Sequence, residues 1–200
     1  MNNAIKVILF DLGRVLMDID FDAFPNALGL TTTETRLKFD QRLIQENVRA
    51  YETGKMTTDE FVEALFEIFQ RKFSRKKILE AFNGIIVEDN QEIILFVEKV
   101  KQKYRIAVLS NTCASHWEKV MHVSALIKTF PDTFTSFHLG AMKPDSIVYE
   151  KVCASLNVQP QEVLFIDDLK ENVDGAIVAG MKGIIFTNTR QLESDFEKFN

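Results

Sequence analysis

The stretch KVILFDLGRVL (residues 6–16) decides how the rest of the chain is interpreted. An apolar run ends in Asp11, and Gly13 and a second short apolar run follow it. An apolar run without alternating polar residues is typical of a strand that is buried on both faces of a parallel sheet. Open α/β sheets bind their ligands beyond the carboxyl ends of such strands. Asp11 is therefore the first candidate functional residue.

Similar apolar runs recur farther along the chain, with helical patterns between them. The strong runs are RIAVLS (105–110), EVLFID (162–167) and GIIFT (183–187), and TFTSFHL (133–139) is a weaker one. We predict one helix that begins at Pro144 and another over residues 171–183 that ends near Gly180 or Gly183. Strands that alternate with helices predict a doubly wound, Rossmann-like parallel sheet of the α/β class.

Residues 19–88 interrupt this alternation, because nothing in them reads as a strand. The segment 57–73 has apolar residues at helical spacing, and Thr57 and Glu60 fit a capping box at its start. Residues 31–48 predict another helix. The predicted parts of the chain are a helical cap, 19–88, and an α/β core, 1–18 and 89–200.

The composition narrows the class of partner. The chain has 24 basic and 29 acidic residues, a formal net charge of −5, and no basic segment interleaved with aromatic residues. This argues against nucleic acid and against a polybasic membrane anchor. Residues 1–11 are too short and too interrupted for a signal peptide, and no apolar stretch is long enough for a membrane span. Cys113 and Cys153 match no zinc or disulfide framework. We therefore expect a cytoplasmic protein of undetermined oligomeric state.

Polar residues stand where several of the predicted strands end. They are Asp11, Ser110 with Asn111, and Asp167 with Asp168, joined by Lys143 just before the predicted helix. Clustered carboxylates repel one another unless a cation neutralises them, so the three aspartates predict Mg²⁺, which prefers oxygen ligands. A hydroxyl donor and an ammonium group suit a bound phosphoryl group. A carboxylate that is free of hydrogen-bond donors can attack phosphorus.

Four segments resemble, in order and spacing, the motifs of the haloacid dehalogenase-like (HAD) hydrolase superfamily. They are FDLGRVL (10–16), VLSNT (108–112), MKPD (142–145) and FIDDLKEN (165–172). The predicted helical insertion lies where this superfamily carries its first-type cap. The segments FDLGRVLMDIDF (10–21) and YETGKMTTDEF (51–61) are most similar to the small sugar-phosphate phosphatases related to glucose-1-phosphate phosphatase. The phosphatase domains of epoxide hydrolases are a more distant resemblance.

The resemblance implies a role for each residue. Asp11 is the implied nucleophile, which becomes an aspartyl phosphate, and Ser110 and Lys143 complete the catalytic set. The implied phosphate ligands are Ser110, Asn111 and Lys143. The implied Mg²⁺ ligands are Asp11, the Gly13 carbonyl and Asp168. Asp167 and Asn172 are implied to support these ligands without contacting the metal.

The predicted cap supplies a second group of candidates. A cap excludes water and contacts the part of the substrate beyond the phosphate. Its candidate contacts lie in the turn around Tyr51, Glu52, Gly54 and Lys55.

Gly13 departs from the pattern of the superfamily. Most of its phosphatases carry an aspartate two residues after the nucleophile, which protonates the leaving oxygen and then activates water. Glycine has no side chain for either step, and the loss of a general acid–base typically costs about 10²–10⁴-fold in rate. His116 is the best-placed substitute by location, since a neutral histidine accepts a proton near pH 7. The alternative is an ordinary polar residue in the first turn of a helix.

Three functions compete on this basis. We predict a Mg²⁺-dependent phosphatase that hydrolyses a small phosphorylated metabolite such as a sugar phosphate. A dehalogenase needs neither the second aspartate nor a metal, but Asp167 and Asp168 oppose an anionic substrate there. A non-catalytic protein that binds a phosphometabolite or another protein is consistent with Gly13, but it has no need of Asp11, Ser110 and Lys143 together.

Overall fold

The computed structural model describes residues 4–199 and shows the predicted α/β class. The strands are β1 (Val7–Phe10), β2 (Met17–Ile19), β3 (Ile86–Asp89), β4 (Arg105–Ser110), β5 (Asp132–Thr135), β6 (Val163–Asp167) and β7 (Lys182–Ile185). The helices are α1 (Ala23–Ala27), α2 (Thr33–Arg36), α3 (Gln41–Glu52), α4 (Thr58–Ile68), α5 (Arg75–Asn83), α6 (Ile94–Val100), α7 (Ala114–Val123), α8 (Ser136–Leu139), α9 (Ser146–Leu156), α10 (Lys170–Val178) and α11 (Thr189–Phe196). Residues 1–3 and 200 of the predicted core lie outside the described part.

The main sheet is parallel, with the strand order β5-β4-β1-β6-β7. The chain moves outward from β1 through β4 and β5 and then returns to the other side of β1 for β6 and β7. At the end of β1, Phe10 lies opposite Val108 of β4 and Ile166 of β6. The carboxyl ends of these three strands therefore meet where the strand order reverses, which is the usual ligand site of such a sheet.

Helices on both faces explain why β1 has no polar alternation. Ile8 and Phe10 lie in an apolar cluster with side chains of α6 and α11, while Val7 and Leu9 lie in another cluster with side chains of α9 and α10. All four residues are buried. Burying each such side chain contributes about 1.5–3 kcal/mol, so this packing fixes β1 at the centre of the sheet.

The segment between β2 and β3 forms a third apolar cluster, with buried side chains from α3, α4 and α5. Its largest buried side chains are aromatic: Phe39, Tyr51, Phe61, Phe69 and Phe82. Cys113, from the loop between β4 and α7, is buried in the same cluster, so the inserted helices pack directly on the main sheet's loops. The boundaries of the cap as a separate unit stay a prediction.

The predicted capping box at the start of α4 is confirmed. The Thr57 hydroxyl accepts a hydrogen bond from the Glu60 backbone N–H, and the Glu60 carboxylate accepts one from the Thr57 N–H. These two bonds satisfy backbone donors that the first helical turn leaves unpaired.

Two predictions for the inserted residues are wrong. The single helix predicted over 31–48 is two helices, because Asp40 begins a new one: its carboxylate accepts from the Leu43 N–H at 3.0 Å. The segment also contains strand residues, since β2 and β3 pair antiparallel with Ile19 opposite Ile86. Strands of three and four residues are too short to show an apolar pattern.

Near the main sheet, two details differ from prediction and one is confirmed. Pro144 precedes its helix, and Asp145 is the N-cap residue. The helix α10 ends at Val178, close to Gly180 as predicted, and Gly180 adopts a positive φ of 93°. The weak apolar run at 133–139 is β5 only as far as Thr135 and then becomes the short helix α8. None of the helices in the described part of the chain is long and apolar enough to cross a membrane.

Candidate active site

The strand ends bring four of the predicted residues to one edge of the sheet. Asp11 directly follows β1, Ser110 ends β4 and Asp167 ends β6. Lys143 reaches the same place from the loop before α9. All four are buried, although each carries a polar or charged group. Burying such groups is costly unless they are paired, so their mutual contacts decide what the site can do.

Lys143 lies at the centre of the site. Its Nζ donates to Asp11 Oδ1 at 2.5 Å, to Asp167 Oδ2 at 2.6 Å and to the Leu109 carbonyl at 3.1 Å. Burial alone lowers the pKa of Lys143, but the two carboxylates outweigh it and raise the pKa above its usual value. Lys143 therefore stays an ammonium, and it holds one oxygen of Asp11 at a fixed position.

Three carboxylates lie within reach of a single cation. Oxygens of Asp11, Asp167 and Asp168 are within 4.8 Å of one another. Burial raises the pKa of Asp11 to about 7, although the Lys143 ammonium acts in the opposite direction. Burial and the neighbouring Asp167 also raise the pKa of Asp168, while Arg14, 3.7 Å away, acts against them. The oxygen donors and the excess of negative charge fit Mg²⁺.

Asp167 is occupied by hydrogen bonds and is thereby set apart from its two neighbours. It accepts from Asn172 Nδ2 at 3.0 Å and from the Leu169 backbone N–H at 2.8 Å, in addition to Lys143. With these donors in place, Asp11 and Asp168 are the carboxylates left to face a cation. Asp167 and Asn172 are thus placed to hold Lys143 and the loop before α10.

Asn111 contacts the backbone of Lys143 rather than its side chain. Its Nδ2 donates to the Lys143 carbonyl at 2.9 Å, and its Oδ1 accepts from the Lys143 N–H at 2.9 Å. This reciprocal pair locks the lysine loop against the end of β4. The predicted direct contact between Asn111 and phosphate stays a prediction.

Ser110 offers the hydroxyl that a phosphoryl group needs. Its side chain has no hydrogen-bond partner among residues 4–199. The residue lines a cavity of about 260 Å³, together with Asp11, Gly13, Lys143 and Asp168. The hydroxyl is therefore available to a ligand in that cavity.

The inserted segment and the loops at the edge of the sheet supply the far walls of the cavity. Glu52, at the end of α3, lines the cavity, and it alone of the four predicted cap contacts does so. Apolar side chains complete the wall: Ile19, Phe21, Ile85, Ile86, Met142 and Leu169. Arg14 also lines it, where its guanidinium lies over the Phe21 ring at 5.0 Å. The contacts of Arg14 with Asp168 and Phe21 had no signal in the sequence pattern.

His116 lines the same cavity but is engaged elsewhere. Its Nε2 lies 3.0 Å from the Phe82 carbonyl, so Nε2 carries the proton, and its ring stacks on Phe82 with centroids 4.2 Å apart. Burial lowers the pKa of His116 to about 4, which keeps the imidazole neutral at pH 7. Its part in proton transfer stays a prediction.

At its strand-order reversal the α/β sheet presents a lysine-bound aspartate and an acidic pair, which is the arrangement that the four sequence motifs predicted. The model of the haloacid dehalogenase-like hydrolase family matches residues 5–180, and the chain belongs to this family. The predictions of a HAD-like fold and of a HAD-like hydrolase are therefore confirmed.

Relatives from Bacteroides thetaiotaomicron cover most of the chain. D-ribitol-5-phosphate phosphatase from this organism is 30% identical over 179 residues, 84% of this chain and 85% of the relative. The crystal structure of a HAD family enzyme from the same organism superposes with a TM-score of 0.85 at 25% identity, covering 97% of this chain and 99% of that one. Its wild-type complex with magnesium and inorganic phosphate superposes with a TM-score of 0.78 at 25% identity, covering 92% and 96%. The phosphatase relative supports a phosphoric monoester hydrolase.

Proposed function

We propose that the protein is a Mg²⁺-dependent phosphatase that hydrolyses a small phosphorylated metabolite, such as a sugar phosphate, through an aspartyl phosphate on Asp11. The observation that carries this proposal is the pairing of Asp11 with Lys143 beside the Ser110 hydroxyl, which has no hydrogen-bond partner within the described part of the chain. Lys143 fixes the carboxylate and neutralises part of its charge. Ser110 is then free to bind the phosphoryl group that Asp11 attacks.

The residues divide the work of the reaction among them. An Asp11 oxygen attacks phosphorus, and the Ser110 hydroxyl donates to a phosphoryl oxygen as its charge grows. The Lys143 ammonium, whose three N–H groups are held by Asp11, Asp167 and the Leu109 carbonyl, stabilises that charge electrostatically. A magnesium ion, held by Asp11, Asp168 and the Gly13 carbonyl, would neutralise the phosphoryl charge when bound. Water then attacks the aspartyl phosphate, which releases inorganic phosphate and restores Asp11.

The relatives support the proposed substrate class. One is named for a polyol phosphate, and a structural neighbour at 25% identity binds magnesium and inorganic phosphate. The cavity of about 260 Å³ suits a small metabolite. A dehalogenase fits the site less well, because two carboxylates beside the nucleophile, Asp167 and Asp168, would repel a haloacid carboxylate.

One observation favours the non-catalytic alternative, a protein that binds a phosphometabolite or another protein. A Cβ atom at Gly13 would lie 3.2 Å from Ile19 Cγ1, so Ile19 crowds the place where an acid–base side chain would begin. The retained contacts of Asp11 with Lys143 still favour catalysis over binding alone.

The test is metal-dependent turnover. The purified protein is assayed with Mg²⁺ on nitrophenyl phosphate and a panel of sugar phosphates, beside Asp11→Asn and an EDTA control. Asp174→Asn, which alters an exposed carboxylate paired with Lys170 on α10, is the matched control. We expect turnover in wild type and in Asp174→Asn, and none above background in Asp11→Asn. A wild type no faster than Asp11→Asn on every compound would support the binding protein instead.

A further inference from the structure

The site lacks an evident source for one proton. When the phosphate ester breaks, an alkoxide leaving group needs a proton, and the attacking water must later lose one. Gly13 has no side chain to transfer it, and Ile19 crowds that position. Lys143 is held by three acceptors, and Asp167 is occupied by donors. The proton carrier must therefore come from another wall of the cavity.

Glu52 is a carboxyl group on the cap side of that cavity. It is the last residue of α3 and is half-buried. Within residues 4–199 its carboxyl group makes no hydrogen bond and no ion pair. A carboxyl group held away from water without a partner is unfavourable for folding, so its position points to use by a ligand.

The surrounding segment is fastened to the main sheet's loops on both sides of Glu52. The Tyr51 hydroxyl accepts from the Ser115 N–H at 3.0 Å and bonds the Thr58 hydroxyl at 2.8 Å. Gly54 packs so closely on α8 that a Cβ there would lie 2.3 Å from the Phe137 carbonyl oxygen. These contacts hold the end of α3 over the carboxyl ends of the strands.

The charges around Glu52 leave it able to gain and lose a proton near neutrality. Burial raises the pKa of Glu52 to about 7, while Arg49 on the same helix acts against it. Burial raises the pKa of the Cys113 thiol to about 11, and the Glu52 carboxylate acts in the same direction. Glu52 therefore lies close to the loop that follows Ser110. The other ionisable groups that line the cavity are Asp11, Arg14, His116, Lys143 and Asp168.

We propose that Glu52 is the catalytic proton donor and acceptor of this hydrolase, in place of the side chain that Gly13 lacks. The proposal rests on the proposed phosphatase function. In the first step an Asp11 oxygen bonds to phosphorus, the bond to the leaving oxygen breaks, and the Glu52 carboxyl gives that oxygen its proton. In the second step water bonds to phosphorus, its proton passes to the Glu52 carboxylate, and the bond to Asp11 breaks. Both side chains return to their starting states.

The test compares two leaving groups in wild type and Glu52→Gln. Nitrophenolate leaves without a proton, whereas the alkoxide of a sugar phosphate requires one. We expect Glu52→Gln to lower kcat/KM for the best sugar phosphate about 10²–10⁴-fold and to lower it far less for nitrophenyl phosphate. Loss of water activation should also produce a nitrophenolate burst of one equivalent per enzyme, as the aspartyl phosphate accumulates.

The pH dependence of kcat/KM distinguishes proton transfer by Glu52 from a purely structural role, which would not change its shape. Proton donation needs the protonated carboxyl, so wild-type kcat/KM for the sugar phosphate should fall as pH rises through about 7. That fall should vanish in Glu52→Gln and return, at a lower rate, in Glu52→Asp. Glu46→Gln, an exposed carboxylate on α3 paired with Arg42, is the matched control and should behave as wild type.

Each result decides between named alternatives. A Glu52→Gln protein that keeps the wild-type ratio of the two kcat/KM values, without a burst, contradicts the proposal. A selective loss confined to His116→Asn would assign the proton to His116 instead. A wild type no faster than Asp11→Asn overturns the phosphatase function and the role of Glu52 with it. If the Glu52 variants behave as wild type while Asp11→Asn is inactive, the role of Glu52 is contradicted and the phosphatase function is retained.

Discussion

Lys143 shows at the scale of one residue how this site tolerates its own charge. Two carboxylates, Asp11 and Asp167, lie within 2.6 Å of its ammonium group, and all three residues are buried. Without the lysine, both would be buried charges with no cation. The same side chain therefore holds the nucleophile and contributes to the stability of the fold.

Lys143→Met should lower the free energy of unfolding by an amount that depends on pH. Removing one partner of a buried ion pair costs about 3–5 kcal/mol, so the free energy of unfolding should fall by that amount at pH 8 in EDTA. Burial already raises the pKa of Asp11, and the unpaired carboxylate should have a pKa that is higher still. It will be protonated and neutral at pH 5, so the deficit should be smaller there. Urea unfolding of wild type and Lys143→Met at both pH values measures this loss in the free energy of unfolding.

The control for this measurement is Lys170→Met. Lys170 pairs with Asp174 on the exposed face of α10, and such surface pairs contribute at most about 1 kcal/mol. Equal losses for the two lysine variants, or a Lys143→Met deficit that grows toward pH 5, would contradict the role assigned to the buried lysine.

How far the sequence predicts the site depends on how each residue is brought there. Asp11, Ser110 and Asp167 were predictable, because each ends a parallel strand and neighbouring strand ends must meet. Glu52 was one of four candidate cap contacts, but the sequence could not single it out, because which of the four lines the cavity depends on how α3 packs against α7 and α8. The contacts of Asn111 were not predictable either, since its partners are the backbone atoms of a loop 32 residues away.

Among the elements, the turn between α3 and α4 sets where the cap side of the cavity lies. Gly54, at φ 70°, meets the Phe137 carbonyl there, and the Tyr51 hydroxyl meets the start of α7. The capping box at Thr57 was evident from sequence because it is local. The contact of Gly54 with α8 is long-range and leaves no local pattern.

Gly54→Ala should therefore weaken catalysis as well as stability. A side chain at positive φ costs about 1–2 kcal/mol, and the methyl group must also push the turn away from Phe137. A displacement near 1 Å at the site can cost about 10²-fold in kcat/KM. Kinetics on nitrophenyl phosphate and on the best sugar phosphate, with thermal unfolding alongside, measure both effects.

Gly29→Ala is the matched control, because Gly29 has nearly the same φ, 74°, with no atom within 4 Å of the added methyl group. It should lose the same 1–2 kcal/mol of stability from its backbone conformation. Its kcat/KM should stay at the wild-type value. A parallel loss of activity in both glycine variants would show that general instability, and not the turn, limits turnover.

For the whole molecule, the acidic edge of the sheet couples metal binding to folding. A ligand at 100 times its Kd that binds only the folded chain adds about 2.7 kcal/mol to the free energy of unfolding. For a chain of this length that corresponds to a rise in Tm of about 5–10 °C. We expect this rise when Mg²⁺ is added to the protein in the absence of substrate.

Asp168→Asn should abolish that rise, because Asp168 is the predicted magnesium ligand least occupied by other donors. Asp174→Asn, on the exposed face of the next helix, should keep it. Differential scanning calorimetry with and without Mg²⁺ measures the rise in Tm for each variant, independently of any substrate. A full rise in Asp168→Asn would place the bound ion elsewhere.

The antiparallel pairing of β2 with β3 has a consequence for how such a protein changes over evolutionary time. The inserted helices lie between Met17 of β2 and Asp89 of β3, and these two residues lie directly opposite each other in the small two-stranded sheet. Because the ends of the inserted segment already meet, another segment with adjacent ends can replace it without moving β1 or its neighbours. We expect such an exchange to leave the attack on phosphorus with the inherited half of the molecule. The residues that select the substrate would come from the new segment. So would the residue that transfers the proton, which is Glu52 in the present segment.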